Sequence, residues 1–348
     1  MKDSYLVADV GGTNVRICIV NSASEILGEE KIYATKDYSS FISIVEEFLQ
    51  SQSVQTSQIS KACFAVAGPV LMGQCRITNL SWDELDEVQL SSQLDCNVTL
   101  INDFVAQGYN ILLDSQKQIH TLQEGIFDSR SPIGIIGAGT GLGKAFAIPI
   151  EEGKYKVFPT EGGHVNYGSR NQLESIIAGA LTPKYRGISQ QNFNLSAQQV
   201  ELLSIDEEGI VSGSGIVDTF KVLKQFYPQA LATDILNLPA HKQAEAIAIS
   251  ATNKTNMLAE KTMEIFIENY GAVCSNFAVN LLPFGGIYIA GGIAAKNLSL
   301  IEEKKDLFLN TFNTKVRVDP ELLKRIPIHI ITNELSGLNG AINYLTKI

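Results

Sequence analysis

The sequence predicts an α/β protein of two domains, and three observations carry this prediction. The chain has 348 residues, which exceeds the length at which one hydrophobic core usually gives way to two. Its first part predicts three strands, one helix and a fourth strand, an order typical of an α/β layer built on a mixed sheet. Two glycine-turned hairpins, over 6–20 and 133–148, indicate that the chain uses one plan twice.

The hairpin over 6–20 combines an apolar strand, Asp9, two glycines and a second alternating strand. Gly11 and Gly12 can adopt positive φ and carry no Cβ, so the backbone can approach a bulky anion closely. Asp9, at the end of its strand, can hold Mg²⁺ directly or through water. The stretch therefore indicates a nucleotide phosphate site, although taken alone it fits an ordinary hairpin with a structural aspartate equally well.

The second hairpin, over 133–148, enters a loop with four glycines: Gly137, Gly139, Gly141 and Gly143. A Walker A loop would need Gly where Ala138 stands and Ser or Thr where Ala145 stands. A dinucleotide-binding fingerprint would need Gly where Leu142 stands and a helix in place of the predicted strand. With both excluded, the loop can still offer backbone N–H groups and the hydroxyl of Thr140 to a phosphate.

Composition narrows the class of protein and its compartment. The formal net charge of −10 argues against nucleic acid and anionic membrane surfaces as partners. We expect neither a signal peptide nor a membrane span, because the sequence shows no basic and apolar leader and no apolar run of about 18 residues. The five cysteines lack C-x-x-C spacing and predict buried, reduced thiols in a cytoplasmic protein.

Further elements follow from the spacing of apolar residues. Apolar runs predict strands at 31–34, 61–67, 98–104 and 328–331, and one from Pro283 that enters a glycine turn at Gly291 and Gly292. Apolar residues three and four apart predict helices from Phe41 to Leu49 and over 85–94, 104–113, 171–179, 239–249, 257–282 and 338–345. We expect the last helix to cross back onto the N-terminal sheet. The predicted domains are then 1–113 with 335–348, and 114–334.

Polar residues at two of these strand and loop ends are candidates for ligand binding. Asn102 and Asp103 end the strand over 98–104, and ligands usually bind at the carboxyl ends of strands in α/β sheets. Asp103 also fits an N-cap of the next helix, and the two roles are compatible. Glu161 and His164 flank two glycines, which disfavour a helical metal pair and suit a loop that binds hydroxyl groups. The alternative for His164 is an ordinary surface histidine.

Four motifs, taken in order, make the chain similar to the bacterial glucokinase family, in its group without a zinc motif. The motifs are Ala8–Asn14, Ile101–Phe104, Gly137–Gly143 with Glu161–His164, and Ile289–Ile293. The family shares a superfold with actin and heat-shock ATPases, and the resemblance covers essentially the whole chain. Related repressors and sugar kinases usually carry a cysteine-rich zinc motif after Gly-Gly-His, whereas 165–172 contains no cysteine. The chain departs from the family at Ala8, where glycine is frequent, and at Ser214, where proline is frequent.

The resemblance implies a two-domain actin-like ATPase (ribonuclease H-like) sugar kinase fold with a central interdomain cleft. It implies ATP-dependent phosphorylation of D-glucose at the 6-hydroxyl, the first step of glycolysis, with Asp103 as the general base. The sugar-binding residues that it implies are Asn79, Asn102, Asp103, Glu161, His164 and Glu208. The ATP-binding residues that it implies are Ala8, Asp9, Val10, Gly11, Gly12, Thr13, Gly139, Thr140, Gly291 and Gly292.

The same resemblance implies ATP and Mg²⁺ as cofactors, with Asp9 holding the metal through water, and a homodimer. Three other functions stay open. A kinase of the same family that acts on another hexose or an N-acetylhexosamine would use similar hydroxyl contacts. A non-enzymatic sugar sensor would need a DNA-binding segment, and we expect none before Asp9. A sugar-independent actin-like ATPase would be expected to lack the Asn-Asp and Glu-Gly-Gly-His residues.

Overall fold

The structure is a computed structural model that describes residues 4–77, 80–113, 118–151, 153–185, 205–227, 233–315, 317–332 and 337–347. Within these residues the strands form a five-stranded sheet, a six-stranded sheet and a two-stranded ribbon. The strands are β1 (Ser4–Val10), β2 (Asn14–Asn21), β3 (Lys31–Ala34), β4 (Ile59–Val66), β5 (Gln74–Cys75), β6 (Leu85–Asp86), β7 (Asn97–Asn102), β8 (Ile119–Gln123), β9 (Ile133–Ala138), β10 (Leu142–Glu151), β11 (Lys154–Thr160), β12 (Ile287–Ala290) and β13 (Ile328–Ile331).

The helices of the same described ranges lie on both faces of the two large sheets. They are α1 (Phe41–Ser51), α2 (Glu87–Leu94), α3 (Asp103–Leu113), α4 (Gln172–Tyr185), α5 (Gly213–Phe226), α6 (Thr233–Leu236), α7 (Ala240–Thr252), α8 (Met257–Leu281), α9 (Gly292–Lys296), α10 (Leu298–Glu303), α11 (Lys305–Asn313), α12 (Pro320–Lys324) and α13 (Gly337–Lys347). Short 3₁₀ turns occur at Thr35–Asp37, Thr56–Gln58 and Gly162–His164.

The first sheet has the strand order β3-β2-β1-β4-β7 and is mixed, as the sequence predicts. β1, β2 and β3 are antiparallel, whereas β1, β4 and β7 are parallel. Val10, Val66 and Asn102 are in register at the carboxyl ends of the three parallel strands. The predicted metal ligand Asp9 and the predicted base Asp103 therefore lie at the same edge of the sheet. The outer face packs on α1, whose buried side chains recur every three or four residues.

The second sheet has the order β11-β10-β9-β12-β13-β8, with β9, β12 and β13 parallel to one another. Its outer face packs on α8, the long core helix that the sequence predicts. The N–H of Ala138 donates to the hydroxyl of Tyr270 on α8 at 3.2 Å, inside the core. This contact fixes the end of β9, from which the second glycine turn starts.

A third core lies between the two sheets, where α3 and α13 pack side by side. Its buried members include Val7 and Cys63 of the first sheet, Ile135 and Ala145 of the second, and Ala106 and Ile342 of the helices. α13 contacts β1, β4 and α3, so the last helix crosses back onto the N-terminal sheet as expected. Because α3 contacts both sheets, its first residue, Asp103, stands where the two sheets face each other.

The interpretation of the second glycine loop is partly wrong. Gly137 and Gly143 lie in β9 and β10, where they pair with each other. The antiparallel ladder continues to the pair Ala138 and Leu142, so only 139–141 form the turn. A Cβ on Gly143 would overlap the ring of Phe104, which follows Asp103. These two strand glycines therefore make room for α3 and are not turn residues.

Helix boundaries also differ from the prediction, as at α2 and α4. Leu85 belongs to β6, so α2 begins two residues later, and Val88 is 80% exposed on the outer face of α2. α4 continues past Gly179 to Tyr185, since Leu181 and Thr182 are buried and extend its inner face. The rest of the weakly patterned segment, 186–204, lies outside the described residues.

Candidate active site

Asp103 is the first residue of α3 and directly follows β7. Burial is the main cause that raises the pKa of its carboxyl group from the ordinary value of 3.8 to about 6. The N–H of Phe104 donates to Oδ1 at 2.9 Å and opposes this rise, while the negative charges of Asp9 and Glu161 add to it. A carboxylate with this pKa can accept a proton from a hydroxyl group near neutral pH.

Asn102 supplies the cap of α3 that was predicted for Asp103. Its Oδ1 accepts from the N–H of Phe104 at 2.9 Å and from that of Val105 at 3.3 Å. Its Nδ2 donates to the carbonyl oxygen of Gly68, just after β4, at 3.0 Å. Asn102 thus joins two parallel strand ends to α3, and its contact with a sugar stays a prediction.

Asp9 faces the first turn of α13. The N–H groups of Gly337 and Leu338 donate to its carboxylate. Burial raises the pKa of Asp9, and the charge of Arg16 and these two N–H groups oppose the rise. A Cβ on Gly337 would lie 2.8 Å from Cγ of Asp9, so only glycine allows this approach.

A single carboxylate beside the predicted phosphate loop fits Mg²⁺, which keeps several waters and takes one or two carboxylates. No group of three or more His, Cys, Asp or Glu side chains is arranged for a metal among the residues that the structure describes. Water and phosphate oxygens would therefore supply the other ligands of a metal at Asp9.

The turn of the first hairpin is held by Thr35, the residue that follows β3. The N–H of Gly11 donates to the carbonyl oxygen of Asn14 at 3.0 Å and closes the turn. The Oγ1 of Thr35 donates to the carbonyl oxygen of Gly12 at 3.0 Å, and its N–H donates to that of Thr13 at 2.9 Å. The carbonyl groups are thereby turned away, which suits a loop whose N–H groups meet an anion.

Two residues of the first phosphate motif can contact a nucleotide only through their backbone. The side chains of Ala8 and Val10 are fully buried in the core of the first sheet. The carbonyl oxygen of Val10 accepts from the N–H of Ala67 at 3.0 Å.

Gly139, Thr140 and Gly292 line one cavity of about 920 Å³. Its other walls come from α5, α7 and the following part of α9. The N–H of Gly213, which begins α5, donates to the carbonyl oxygen of Gly139 at 2.8 Å and holds the second turn against α5. A cavity of this size admits a nucleoside with its phosphates.

Gly291 and Gly292 have different roles in the third glycine turn. Gly291 has φ of 87°, and a Cβ there would lie 2.6 Å from the carbonyl oxygen of Ala138. Gly292 has open space where a Cβ would be, and it faces the cavity. Gly291 is therefore a requirement of the backbone, while Gly292 is the member of the pair that can approach a ligand.

The cavity also has a charged wall that the sequence analysis missed. Asp218 on α5 is buried and forms an ion pair with Lys184 of α4. The Nζ of Lys221 lies 3.7 Å from Oδ1 of Asp218. The i,i+3 spacing of Asp218 and Lys221 was the available signal, but the partner from α4 could not be read from it.

His164 ends the 3₁₀ turn Gly162–His164, Glu161 directly precedes that turn, and a further acid lies beside them. The Nδ1 of His164 lies 2.9 Å from Oδ2 of Asp206, and its Nε2 lies 4.0 Å from Oε2 of Glu161. The hydrogen bond with Asp206 is the main cause that raises the pKa of His164 above 6.5, and nearby acids, Glu208 among them, add to the rise. The run of three acids at 206–208 was the only sequence signal for Asp206.

Glu208 connects the His164 turn with the second hairpin. Its Oε2 accepts from the N–H of Leu142 at 2.8 Å, and its own N–H donates to the carbonyl oxygen of Gly163 at 3.0 Å. The structure therefore brings Glu161, His164 and Glu208 close together, and their binding of a sugar stays a prediction. Asn79, the remaining predicted sugar residue, lies outside the described residues.

Known proteins are similar to this chain over nearly its whole length. The family model described as Glucokinase matches residues 6–348. The glucokinase of Trichormus variabilis is 38% identical over 352 residues, with 97% of each chain covered. The chain belongs to the glucokinase family.

Solved structures show the same fold. A glucokinase from Balamuthia mandrillaris, solved with glucose, has a TM-score of 0.78 at 22% identity and covers 99% of this chain and 94% of its own. A ROK family glucokinase from Streptomyces griseus, solved with glucose and AMPPNP, has a TM-score of 0.59 at 16% identity and covers 98% and 97%. The predicted actin-like ATPase (ribonuclease H-like) sugar kinase fold is confirmed. In the described parts of this glucokinase-family chain, no helix could span a bilayer.

Proposed function

We propose that the chain transfers the γ-phosphoryl group of ATP to the 6-hydroxyl of D-glucose, giving glucose 6-phosphate and ADP, the first step of glycolysis. The observation that carries the proposal is the match to the glucokinase family over residues 6–348. The geometry supports it, because the raised pKa of Asp103 responds both to Asp9, near the first phosphate loop, and to Glu161, in the predicted sugar turn.

Asp103 acts as the general base. Its carboxylate accepts the proton of the 6-hydroxyl while that oxygen attacks the γ-phosphorus, and the bond from phosphorus to the β,γ-bridging oxygen breaks, leaving ADP. A positioned base of this kind contributes about 10²–10⁴-fold in rate. Because Asn102 accepts from the N–H groups of Phe104 and Val105, α3 keeps a cap when the carboxylate of Asp103 is removed.

The remaining sugar hydroxyls are held by Asn102, Glu161, His164 and Glu208, together with Asn79. Carboxylate oxygens accept hydrogen bonds from hydroxyl groups, and an imidazole can accept or donate. His164 uses Nδ1 for Asp206, which leaves the ring oriented with Nε2 toward Glu161. Several oriented polar atoms on rigid turns suit a polyhydroxylated ligand.

The nucleotide occupies the cavity between α5, α7 and α9, with its phosphates against the two hairpin turns. Gly12, Thr13 and Thr140 supply N–H and hydroxyl groups to the phosphate oxygens. The N–H of Gly139 donates to the carbonyl oxygen of Gly141 at 2.8 Å, so Gly139 contributes its lack of a side chain. When bound at Asp9 through water, Mg²⁺ would neutralise charge on the transferred phosphoryl group. Closure of the two sheets around the cleft would exclude water, so that the sugar is the acceptor.

We also propose a cytoplasmic homodimer in which each chain has two domains, 1–113 with 335–348 and 114–334. Four cysteines are buried, as is common for thiols of reducing compartments: Cys18, Cys63, Cys75 and Cys274. The separate cores of the two sheets support the division into domains. Light scattering tests the assembly: a mass of twice 37.9 kDa supports the dimer, and a single mass overturns it.

A coupled assay of ADP release, with Mg-ATP and a panel of sugars, tests the reaction. The panel contains glucose, mannose, fructose, N-acetylglucosamine and no sugar. We expect turnover that rises steeply with glucose. Preference for another sugar would keep the mechanism and change the substrate. ADP release that is independent of sugar would contradict the roles of Asp103, Glu161 and His164.

A further inference from the structure

Two turns that contain predicted sugar-binding residues pack on one buried lysine, Lys144. The first, here called the His164 turn, is 161–164, and the second, the Glu208 turn, is 205–208. Lys144 of β10 lies beneath both of them. Its side chain is 4% exposed, and that of its ion-pair partner Glu207 is 1% exposed.

The stem of Lys144 contacts the His164 turn. A Cβ on Gly162 would lie 2.9 Å from Cδ of Lys144, so the turn sits directly on the lysine. The Oγ1 of Thr160 donates to the carbonyl oxygen of Lys144 at 3.0 Å and accepts from the N–H of Gly162 at 3.0 Å. One residue therefore positions the middle of the His164 turn with both its side chain and its backbone.

The ammonium of Lys144 holds the Glu208 turn through Glu207. The second carboxylate oxygen of Glu207, Oε1, accepts from Nδ2 of Asn276 on α8 at 2.8 Å. The Oδ1 of Asn276 in turn accepts from Nζ of Lys315 at 2.6 Å. Glu207 is thus anchored on both oxygens, to β10 on one side and to α8 on the other.

The residues on either side of Glu207 both point to groups at the predicted sugar site. Asp206 contacts Nδ1 of His164 at 2.9 Å, and Glu208 accepts from the N–H of Leu142 at 2.8 Å. The N–H of Glu208 donates to the carbonyl oxygen of Gly163 at 3.0 Å, which links the two turns directly, and the N–H of Glu207 donates to the carbonyl oxygen of Val165, just after the His164 turn, at 2.9 Å. Fixing Glu207 therefore fixes two flanking acids at once.

Stability alone does not explain a buried ion pair, because well-packed apolar side chains of similar volume are often as stabilising or more so. A charged pair does, however, accept only one arrangement of its partners. We propose that Lys144 and Glu207 are positioning residues for sugar binding: they fix the His164 turn relative to the Glu208 turn, so that Glu161, His164 and Glu208 converge on one ligand. This inference rests on the proposed function of the same site.

The test replaces both charges at once, with Lys144→Met and Glu207→Met in one chain. Methionine is close in length to both side chains, although one atom shorter than lysine, and the double variant leaves neither charge of the pair buried without its partner. The matched control makes the same two changes at Lys154 and Glu151, an ion pair of 2.7 Å on the same hairpin whose side chains are 68% and 66% exposed.

We expect the buried double variant to raise KM for glucose about tenfold or more, because misplacement by about 1 Å costs up to 10²-fold. KM for ATP should stay within about twofold, since neither residue lines the nucleotide cavity. The control should match the wild type in both constants. A glucose KM within twofold of the wild type, or equal rises in both KM values, would overturn the inference.

A second readout does not depend on turnover. The imidazole of His164 can be followed by NMR among the four histidines of the chain, with His164→Asn for assignment. Loss of the anchor should loosen the contact with Asp206, so the pKa of His164 should fall toward its ordinary value in the buried double variant and stay unchanged in the control. An unchanged titration in the folded variant would refute the positioning role.

Two further measurements separate the possible failures. If the wild type shows no sugar-dependent turnover, the proposed function fails, and the His164 titration alone decides the positioning role. If the double variant does not fold, Asn276→Ala keeps both charges and removes the second anchor of the Glu207 carboxylate. It should raise the glucose KM selectively by a smaller factor, and no selective rise in that variant would overturn the inference.

Discussion

The two glycine hairpins act on neighbouring residues of α3 by different physical means. Burial is the main cause that raises the pKa of Asp103, and the first hairpin adds to the rise with the negative charge of Asp9. The second hairpin leaves room for the ring of Phe104, because Gly143 has no Cβ at that place. One hairpin therefore tunes the predicted base by charge, and the other allows the helix that carries it to approach. Hairpins with similar sequences therefore need not have the same role.

The largest expected effect on the rate comes from removing the carboxyl group of Asp103. Asp103→Ala should lower kcat by at least about two decades, the lower end of what a general base contributes. Glucose binding, measured by calorimetry, should be largely kept, since the cap of α3 comes from Asn102. Glu46→Gln, at an exposed position of α1, is the control. Unchanged turnover in Asp103→Ala would show that another group takes the proton.

The raised pKa of Asp103 should be measurable in the dependence of the rate on pH. Because the pKa of Asp103 is about 6, kcat/KM should fall about tenfold per pH unit below that value. The residual kcat/KM of Asp103→Ala should not show this fall at low pH. If kcat/KM of the wild type fell only below about pH 4, the carboxyl group of Asp103 would not be desolvated as it is in the structure.

The raised pKa of Asp103 also makes the stability of the fold depend on pH. The folded state favours the protonated form of Asp103, so its contribution to stability is fully present below the ordinary pKa of 3.8 and is lost as pH rises through about 6. Asp103→Asn removes this loss, because the amide does not ionise. We therefore expect the variant to gain stability relative to the wild type from pH 4 to pH 7 in denaturant titrations. A constant difference over that range would contradict the assignment.

The contribution of space is tested at Gly143. Gly143→Ala should destabilise the fold by about 1–3 kcal/mol, the usual cost of overpacking, because its Cβ would overlap the ring of Phe104. Adding Phe104→Leu should restore part of the loss. Gly139→Ala, in the same hairpin but with open space around its Cβ, should change stability by less than about 0.5 kcal/mol. Equal losses at the two glycines would mean that the hairpin, and not the contact with α3, decides the cost.

The sequence predicts these hairpins well because each is a local pattern of alternating apolar residues and glycines. The same holds for α1 and β13, each of which is visible as a short local pattern of apolar residues. The roles of individual glycines are harder to predict. Gly143 is needed because of Phe104, and Asp206 and Glu207 meet His164 and Lys144 only after folding. Local periodicity contains no information about such partners.

The smallest expected effect concerns how Asp9 is held. Gly337→Ala would place a Cβ 2.8 Å from Cγ of Asp9, while the N–H groups of α13 still attract the carboxylate. The carboxylate must shift, so KM for Mg-ATP should rise several-fold, with about 1 kcal/mol or less of differential binding lost. KM for glucose should hardly change.

The control for this variant is Gly179→Ala on α4, where no atom lies within 4 Å of the added Cβ. It should leave both KM values alone and stabilise its helix, since alanine is the better helix former. The comparison also tests the division of labour between the hairpins. If Gly337→Ala raised the KM for glucose as much as that for Mg-ATP, Asp9 would serve the sugar as well as the metal, and the first hairpin could not be assigned to charge alone.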